Sequence, residues 1–173
     1  MPERTRYAWG ESSVGEFIAA VSERGLVAFE FADGRIAALE ALQARLPDAL
    51  LEEDCEGLAE LVGKLATLVD HPETDPGITL DPRGSDYQKR VWSLLREIPA
   101  GQTTNYGALA AKLGTRDARD VTEAILSNAI AILIPCHRVV KKDGSVSGYR
   151  WGFMRKRALL ARERQTLDHS HAC

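Results

Sequence analysis

The first half of the chain contains two short apolar runs that predict neighbouring β-strands. Glu16–Val21 and Leu26–Phe31 are rich in Val, Ile and Phe, residues that strands favour. Residues 22–25 lie between the two runs and end in a glycine, which is typical of a hairpin connection. The pattern therefore predicts a β-hairpin in this part of the chain.

After this hairpin the apolar residues change to helical spacing. One helix is predicted over residues 36–46 and a second over residues 56–69, because apolar residues recur there every three or four positions. The segment 71–77 contains two prolines and a glycine, so it breaks the second helix and is typical of a connection between domains. We therefore expect a small α/β domain over residues 1–77 and a second domain over residues 78–173.

The second half is predicted to be mainly helical. Residues 85–96 form an amphipathic pattern that Ser85 can cap at its N-terminus. Two shorter helices, over residues 106–113 and 117–127, flank a tight turn at Gly114–Thr115. Such a pair is typical of a helix-turn-helix, whose second helix enters a DNA groove, although many helical hairpins share the pattern.

The charges are distributed unevenly over the two halves. Residues 1–80 hold 6 Lys and Arg against 16 Asp and Glu, whereas residues 81–173 hold 16 against 9. The overall net charge of −3 hides this difference. A positive second half is the footprint expected of a protein that binds a polyanion, although two merely solvated faces would give the same counts.

Cysteine spacing and apolar run lengths exclude several classes of protein. Cys55, Cys136 and Cys173 show no CxxC spacing, so neither a disulfide framework nor a zinc site is predicted. The run 168–173 contains two histidines and a cysteine, but a frayed terminus explains it better than a metal site. No run has the length of a membrane span or a secretory signal core. We expect a cytoplasmic protein that needs neither a metal nor another cofactor.

Cys136 is the candidate nucleophile of the chain. It follows the apolar segment 129–135 and precedes a final helix predicted over residues 153–164. Its neighbours His137 and Arg138 give it an electropositive setting, which favours the reactive thiolate over the thiol. A base within hydrogen-bond reach would generate that thiolate. A buried core cysteine after an apolar strand is the alternative that these residues alone leave open.

A longer run around this cysteine forms a specific signature. The run Ile132-Leu-Ile-Pro-Cys-His-Arg-Val-Val140, followed by residues 141–152 and Glu163, closely resembles the active-site region of O6-alkylguanine-DNA alkyltransferases. The first half of the chain is similar more loosely, and resembles most the alkyltransferase half of bacterial Ada-type proteins. Upstream, the resemblance includes Tyr87-Gln88-Lys-Arg-Val91-Trp92, Ile98-Pro-Ala-Gly101 and Thr104-Asn-Tyr106.

This resemblance implies a fold and an activity. The fold would be an α/β N-terminal domain with a ribonuclease H-like small sheet plus helices, followed by a mainly α C-terminal domain with a winged-helix-like helix-turn-helix. The activity would be irreversible, stoichiometric transfer of the alkyl group from O6-alkylguanine, and also from O4-alkylthymine, in double-stranded DNA to Cys136. The protein would act as a monomer without an obligate protein partner or a membrane.

Two other functions use related residues. A non-catalytic sensor that binds alkyl lesions without repairing them would share the fold, but such sensors lack the acceptor cysteine that Cys136 provides. A cysteine hydrolase would use a Cys, a His and an acid for acyl transfer. The hydrolase would leave the predicted helix-turn-helix and the basic second half without a purpose.

The resemblance also assigns roles around the sulfur. Cys136 would accept the alkyl group, His137 would act as its base through a water molecule, and Glu163 would orient the imidazole. Asn128 matches the family's hinge asparagine, which ties the recognition helix to the active-site loop.

Further matches concern the DNA and the extruded base. Tyr106 would donate to the guanine ring and rotate the target's phosphate, and Arg119 would fill the gap that the flipped base leaves. The other matching positions are Val139, Tyr149 and Arg150, which would line the guanine pocket, and Thr104 and Ile125, which would make further contacts to substrate or DNA.

The predicted recognition helix departs from the family pattern. Family members place small residues after the arginine, whereas this chain has Asp120 and Glu123 in the run after Arg119. The connection from Tyr106 to Arg119 is also one residue shorter than in familiar members. Both carboxylates would meet phosphates of like charge. We therefore expect a lower affinity for duplex DNA, or a different seating of this helix.

Overall fold

The first half folds into a small mixed sheet with two helices. The computed structural model describes residues 3–114, 118–146 and 148–171. The four strands are β1 (Glu3–Ser12), β2 (Gly15–Val21), β3 (Leu26–Phe31) and β4 (Ala49–Glu53). They lie in the order β3-β2-β1-β4, in which β1 runs antiparallel to β2 and parallel to β4, and β2 runs antiparallel to β3. The predicted hairpin is confirmed as β2 and β3.

The sequence pattern does not predict β1 and β4, for identifiable reasons. The buried positions of β1 are the small or polar Thr5, Ala8 and Gly10, so no apolar run marks the strand. A side chain at Gly10 would place its Cβ only 2.4 Å from the ring of Phe17, which is why the position stays without one. β4 is a short edge strand that exposes most of its residues.

Helices cover both faces of the sheet. Because side chains alternate along a strand, β2 and β3 present apolar residues on two sides. Helix α1 (Arg35–Arg45) covers one side through Leu42, and helix α2 (Ala59–Asp70) covers the other through Leu65 and Leu68. The α1 side includes Ile18, Ala20, Val27 and Ala28, and the α2 side includes Phe17, Ala19, Phe29 and Phe31.

The second half is mainly helical, as predicted, with a two-stranded ladder. The predicted helix start at Asp117 and the turn residue Thr115 lie outside the described residues. The final helix, α6 (Phe153–His171), extends beyond the predicted end at Arg164. The elements are α3 (Asp86–Arg96), β5 (Thr104–Asn105), α4 (Tyr106–Leu113), α5 (Ala118–Leu126), a 3-10 turn (Cys136–Arg138), β6 (Val139–Val140) and α6 (Phe153–His171), and β5 pairs parallel with β6.

Helix α3 is fixed at its start and anchors α5. Ser85 caps α3 as predicted: its Oγ accepts a hydrogen bond from the Gln88 amide, and the Gln88 side chain accepts one from the Ser85 amide. Such a capping box satisfies two otherwise orphaned donors. Further along α3, the buried Trp92 donates from Nε1 to the carbonyl of Ala124, at 2.8 Å. This bond holds α5 against the core.

One apolar cluster joins the two halves of the chain. Phe17 and Phe29 from the sheet and Leu65 from α2 belong to the same cluster as Trp92 from α3 and Ile130 from the segment before Cys136. The site segment is therefore packed directly onto the sheet. Among the described residues, no helix is both long and apolar enough to cross a lipid bilayer.

Candidate active site

The segment that leads to Cys136 is irregular rather than a strand. Ile130 makes a single bridge to Phe29 of β3, and the chain then turns at Ile132, whose φ is +66°. A β-branched residue in the left-handed region carries strain of the order of 1–3 kcal/mol, which only a well-determined surrounding structure can hold. The cysteine therefore enters from a tight turn against the sheet, not from the end of an apolar strand.

Cys136 begins the 3-10 turn and is almost fully buried, with 3% of its surface exposed. Its Sγ lies 3.3 Å from Nδ2 of Asn128, which donates to it. The Cys136 amide donates to the carbonyl of Ile134 at 2.8 Å. The sulfur is thus held in a fixed direction by a side chain that lies two residues after the end of α5.

Asn128 organises the whole segment between α5 and the sulfur. It is completely buried, and its Nδ2 also donates to the carbonyls of Ile130 and Ile134, both at 3.0 Å. Its Oδ1 accepts from the Ile130 amide at 2.9 Å. One amide group therefore binds three backbone groups of the turn and the sulfur of Cys136.

His137, the residue after Cys136, forms a buried pair with Glu163. Nε2 of His137 lies 2.7 Å from Oε1 of Glu163, and neither side chain is exposed by more than 1%. Glu163 also accepts from Nε and Nη2 of Arg138, the latter at 2.7 Å, and its Oε2 accepts from the Gly101 amide at 3.4 Å. Arg138 donates its Nη1 to the carbonyl of Ile98 at 2.6 Å.

This hydrogen bonding determines which nitrogen of His137 can take a proton. Burial opposes ionisation of Glu163, yet the hydrogen bonds from His137 and Arg138 hold the pKa of its carboxyl below the ordinary value. Burial lowers the pKa of His137 although Glu163 opposes the shift, so the ring is neutral. A carboxylate accepts the Nε2 proton, and Nδ1 is left as the basic nitrogen. Nδ1 is buried and hydrogen-bonds to none of the described residues.

The expectation that Cys136 rests as a thiolate is wrong for the folded protein. Burial raises the pKa of the thiol to about 11, against the opposing effects of the Asn128 hydrogen bond and the charge of Lys156. The two neighbours counted in the sequence contribute little, because Arg138 is paired with Glu163 and His137 is neutral. The resting sulfur is therefore a protonated thiol, and a base is needed to activate it.

Lys156 is a functional candidate that sequence reasoning does not single out. Its side chain is 1% exposed and donates from Nζ to the carbonyl of Gly148 at 3.3 Å. Burial lowers the pKa of its ammonium to about 8, while the nearby Cys136 opposes that shift. The signal in the sequence is its spacing, since position 156 falls on the inner face of α6 that Leu159, Leu160 and Glu163 define.

Of the residues predicted to contact the base, Tyr149 lies beside Cys136. The Tyr149 ring packs edge-to-face against Trp151, with centroids 5.1 Å apart, and burial beside Cys136 raises the pKa of its phenol well above the ordinary value. Val139 is buried and pairs with Thr104 in the β5–β6 ladder. Tyr106 begins α4 two residues after Thr104 and is half-buried. The ladder thus links the segment that follows Cys136 to the start of α4.

The predicted DNA-contact residues of α5 are exposed, apart from Ile125. Arg119, Asp120 and Glu123 are exposed on one face of this helix. Ile125 is 4% exposed and belongs to the core, so its predicted contact with substrate or DNA is corrected. The reason is helical spacing: Val121, three and four positions before Ala124 and Ile125, shares their inward face.

The described residues hold no metal-binding cluster. No group of three or more His, Cys, Asp or Glu side chains in the described part of the chain is arranged to hold a metal ion. The histidine and cysteine side chains of the run 168–173 lie outside what the structure describes. Cys55 is an exposed free thiol far from Cys136 in the sequence.

The family model for the DNA-binding domain of 6-O-methylguanine DNA methyltransferase matches residues 86–165. This range begins at the first residue of α3 and runs into α6. It includes the α4–α5 pair, the turn that carries Cys136, and Glu163.

Individual relatives match over most of the chain. The bifunctional transcriptional activator/DNA repair enzyme Ada of Escherichia coli is 39% identical over 159 residues, which cover 91% of this chain and 45% of Ada. The methylated-DNA–protein-cysteine methyltransferase of Methanosarcina acetivorans is 35% identical, over 91% of this chain and 97% of that protein. The chain spans about half the length of the Ada-type relatives that it matches.

A solved structure shares the same arrangement. The Mycobacterium tuberculosis OGT in complex with DNA superimposes with a TM-score of 0.75 at 32% sequence identity, over 92% of this chain and 93% of that one. The small mixed sheet and the helices described above are therefore those of this structural group.

Proposed function

The chain belongs to the methylated-DNA–protein-cysteine methyltransferase family, and we propose that it repairs DNA by moving the alkyl group of O6-alkylguanine onto Sγ of Cys136. The observation that carries the proposal is the constellation around that sulfur. Asn128 donates to the nucleophile, and the buried His137 and Glu163 form a base and its partner. A buried thiol accompanied by a base and an orienting acid is the arrangement that nucleophilic catalysis requires.

The proposed reaction is an in-line displacement at the alkyl carbon. Nδ1 of His137 takes the thiol proton through a water molecule, and Glu163 stabilises the imidazolium that forms. The thiolate attacks, the Sγ–C bond forms, and the C–O6 bond breaks with its electron pair remaining on the guanine. A proton then goes to the leaving guanine, with Tyr106 as the proposed hydrogen-bond donor. The thioether product is inert, so each molecule reacts once.

Lys156 has a place in this scheme as a neighbouring cation. Its ammonium lowers the pKa of Cys136 against the much larger effect of burial. A cation beside the sulfur stabilises the thiolate at the moment of attack without making the resting thiol acidic. Its bond to Gly148 holds it beside the loop that carries Tyr149.

The proposal for DNA follows from the α4–α5 pair. An O6-alkyl group is buried in the duplex stack, so the base must be extruded before the sulfur can reach it. We assign α5 as the recognition helix of a winged-helix-like helix-turn-helix, and Arg119 as the side chain that fills the gap. The first half, in this proposal, is a ribonuclease H-like unit, and residues 77 and 78 form the domain boundary.

The remaining parts of the proposal concern substrate range and assembly. O4-alkylthymine is proposed as a second substrate, because it also carries an alkylated exocyclic oxygen on the major-groove edge of the base. We propose a monomer that acts in the cytoplasm, where a free thiol stays reduced.

Intact-mass measurement tests the function. The protein is incubated with duplex DNA containing O6-methylguanine, and wild type is expected to gain the mass of one methylene, with the modified peptide containing Cys136. The variant Cys136→Ala is expected to gain nothing. Binding of the methylated duplex with no mass gain would instead identify a lesion sensor, and a protein that neither binds nor gains mass would reopen the hydrolase.

The acidic face of α5 leads to a prediction about affinity. Asp120→Ala combined with Glu123→Ala is expected to raise the affinity for duplex DNA roughly fivefold to tenfold, because a like-charge contact at 4 Å in water costs about 1 kcal/mol before screening. Fluorescence anisotropy over a range of salt concentrations measures the effect. The control, Glu40→Ala with Glu56→Ala, removes the same charge from exposed positions of the first half. Equal affinities of the α5 variant and wild type would contradict the prediction.

The neutral state of His137 leads to a prediction about pH. Because burial holds the pKa of His137 below 6.5, its basic form persists as the pH falls from neutral to that value. The transfer rate constant is expected to stay constant down to pH 6.5 and to fall only below it. Single-turnover rates with O6-benzylguanine as a free base measure the profile. The control His71→Gln removes an exposed histidine and should leave the profile unchanged; a midpoint above 6.5 would contradict the assignment.

A further inference from the structure

Two arginines from different parts of the chain meet the C-terminal end of α5. Arg45, at the end of α1, donates from Nη2 to the carbonyl of Ser127. Arg150, in the segment before α6, donates from Nη1 to the carbonyl of Leu126 at 3.2 Å. The last carbonyls of a helix lack partners within the helix and carry partial negative charge, so two guanidinium groups there are favourable.

A buried carboxylate pairs with one of these arginines and lies near the other. Glu30 of β3 is 6% exposed, and its Oε1 lies 2.6 Å from Nη2 of Arg150. Burial raises the pKa of Glu30, and the charges of Arg150 and Arg45 oppose that shift. A buried acid is costly unless it is paired, so the pairing constrains Glu30 and Arg150, while Arg45 is held by its bond to Ser127. We call Glu30, Arg45 and Arg150 the α5 clamp.

The clamp acts directly beside the hinge to the nucleophile. Ser127, which accepts from Arg45, is followed by Asn128, and Asn128 donates to Sγ of Cys136. The sheet, through Glu30, is therefore connected to the end of the proposed recognition helix at the point where the chain leaves for the sulfur. The first half thus contributes an acid, Glu30, and an arginine, Arg45, at the C-terminal end of α5.

We propose that Glu30 and Arg45 are positioning residues of the alkyl transfer, which fix the end of α5 so that a base extruded by this helix reaches Cys136. The inference rests on the proposed function and deepens it. It gives the first half, with its excess of acidic residues, a definite part in a reaction whose chemical groups all lie in the second half. Neither residue touches the reacting atoms.

The test compares two substrates that share the reacting bond. Methylated duplex must be docked by α5, whereas O6-benzylguanine as a free base enters the pocket without a phosphate backbone. Arg45→Met is expected to lower the second-order rate constant with the duplex by about tenfold to a hundredfold, the size of effect that misplacement of reacting groups produces. The free-base rate should stay within about twofold of wild type, which is small against a misplacement effect of that size.

The matched control is Arg35→Met, the same substitution on the same helix. Arg35 pairs with Glu16 on the surface and touches no part of α5 among the described contacts. The Arg35→Met variant should react with both substrates at the wild-type rates. Glu30→Gln, which keeps the shape of the side chain, is expected to repeat the selective loss with duplex.

Several outcomes would overturn the inference. Duplex rates of Arg45→Met and Glu30→Gln equal to wild type would show that the clamp positions nothing. Equal losses with duplex and free base would show a general packing role. Binding of unmodified duplex can be followed by the slope of log K against log salt concentration. If the size of this slope falls by about one in Arg45→Met, Arg45 contacts a phosphate directly instead. Failure of wild type to transfer from either substrate would refute the proposed function, and the duplex affinities of the variants would still test the clamp.

Discussion

Replacing Glu163 by glutamine is expected to lower the alkyl-transfer rate constant by about 10²–10⁴, the range that loss of an oriented general base produces. The carboxylate accepts the Nε2 proton of His137 and so leaves Nδ1 free to take a proton. The amide of Gln can present its NH2 group to Nε2, which then becomes the acceptor. The proton moves to Nδ1, and the nitrogen proposed to act as the base is blocked.

The same substitution also removes the counter-charge of Arg138, so stability must be separated from chemistry. Arg138 is 7% exposed and its guanidinium contacts both oxygens of Glu163. Breaking a buried ion pair from one side costs about 3–5 kcal/mol in the free energy of unfolding. Rates must therefore be compared under conditions in which the variant is fully folded, as checked by circular dichroism.

Arg138→Met is the matched control, because it breaks the same ion pair from the other side. It is expected to lower the free energy of unfolding by a similar amount, but it keeps the carboxylate against Nε2 and so keeps Nδ1 unprotonated. Most of the transfer rate should remain. Equal rate losses in Glu163→Gln and Arg138→Met, measured on the free base in single turnovers, would show that Glu163 serves the fold and not the histidine.

The residues around the sulfur also show how much of the site the sequence predicts. Cys136 and His137 are adjacent, and family resemblance brings Glu163 to them across 26 positions, a separation that the hydrogen bond at 2.7 Å closes. The sequence does not predict the protonation state of the Cys136 sulfur. The basic neighbours in the sequence predict a thiolate, whereas burial in the folded protein raises the pKa of the thiol to about 11. The extent of burial depends on the fold and cannot be read from adjacent residues.

The helices and strands likewise divide into those that the sequence predicts and those that it does not. The hairpin and the helices have local signatures, namely apolar runs, helical spacing and the Ser85 cap, and these are present in the structure. β1 has no such signature, since its buried positions are small or polar to admit Phe17 and α2. The pairing of Glu30 with Arg150 joins residues 120 positions apart, and no local pattern indicates it. Interactions of this range depend on packing that only the folded chain defines.

Replacing Asn128 by alanine is expected to lower the free energy of unfolding by about 2–6 kcal/mol. The Ile130 amide loses its partner, at about 1–3 kcal/mol, and two further buried hydrogen bonds to carbonyls are lost, at about 0.5–1.5 kcal/mol each. The substitution removes the donor to the carbonyls of Ile130 and Ile134 and the acceptor for the Ile130 amide. It also removes the donor to Sγ of Cys136, so the transfer rate should fall with the stability. Urea unfolding and single-turnover rates measure the two effects.

Gln43→Ala provides the comparison, because Gln43 is another amide that bridges two backbone carbonyls. Its Nε2 donates to Leu46 and Ala49 at 3.0 and 3.1 Å, at the exposed end of α1 and away from the sulfur. Water can replace those bonds, so we expect a loss of at most about 1 kcal/mol and an unchanged rate. Asn128 differs from Gln43 in two ways: it is fully buried, and its amide binds the turn before Cys136 and the sulfur itself. A stability loss no larger than that of Gln43→Ala would mean that the strained turn at Ile132 is held by packing alone, and that Asn128 does not fix the nucleophile.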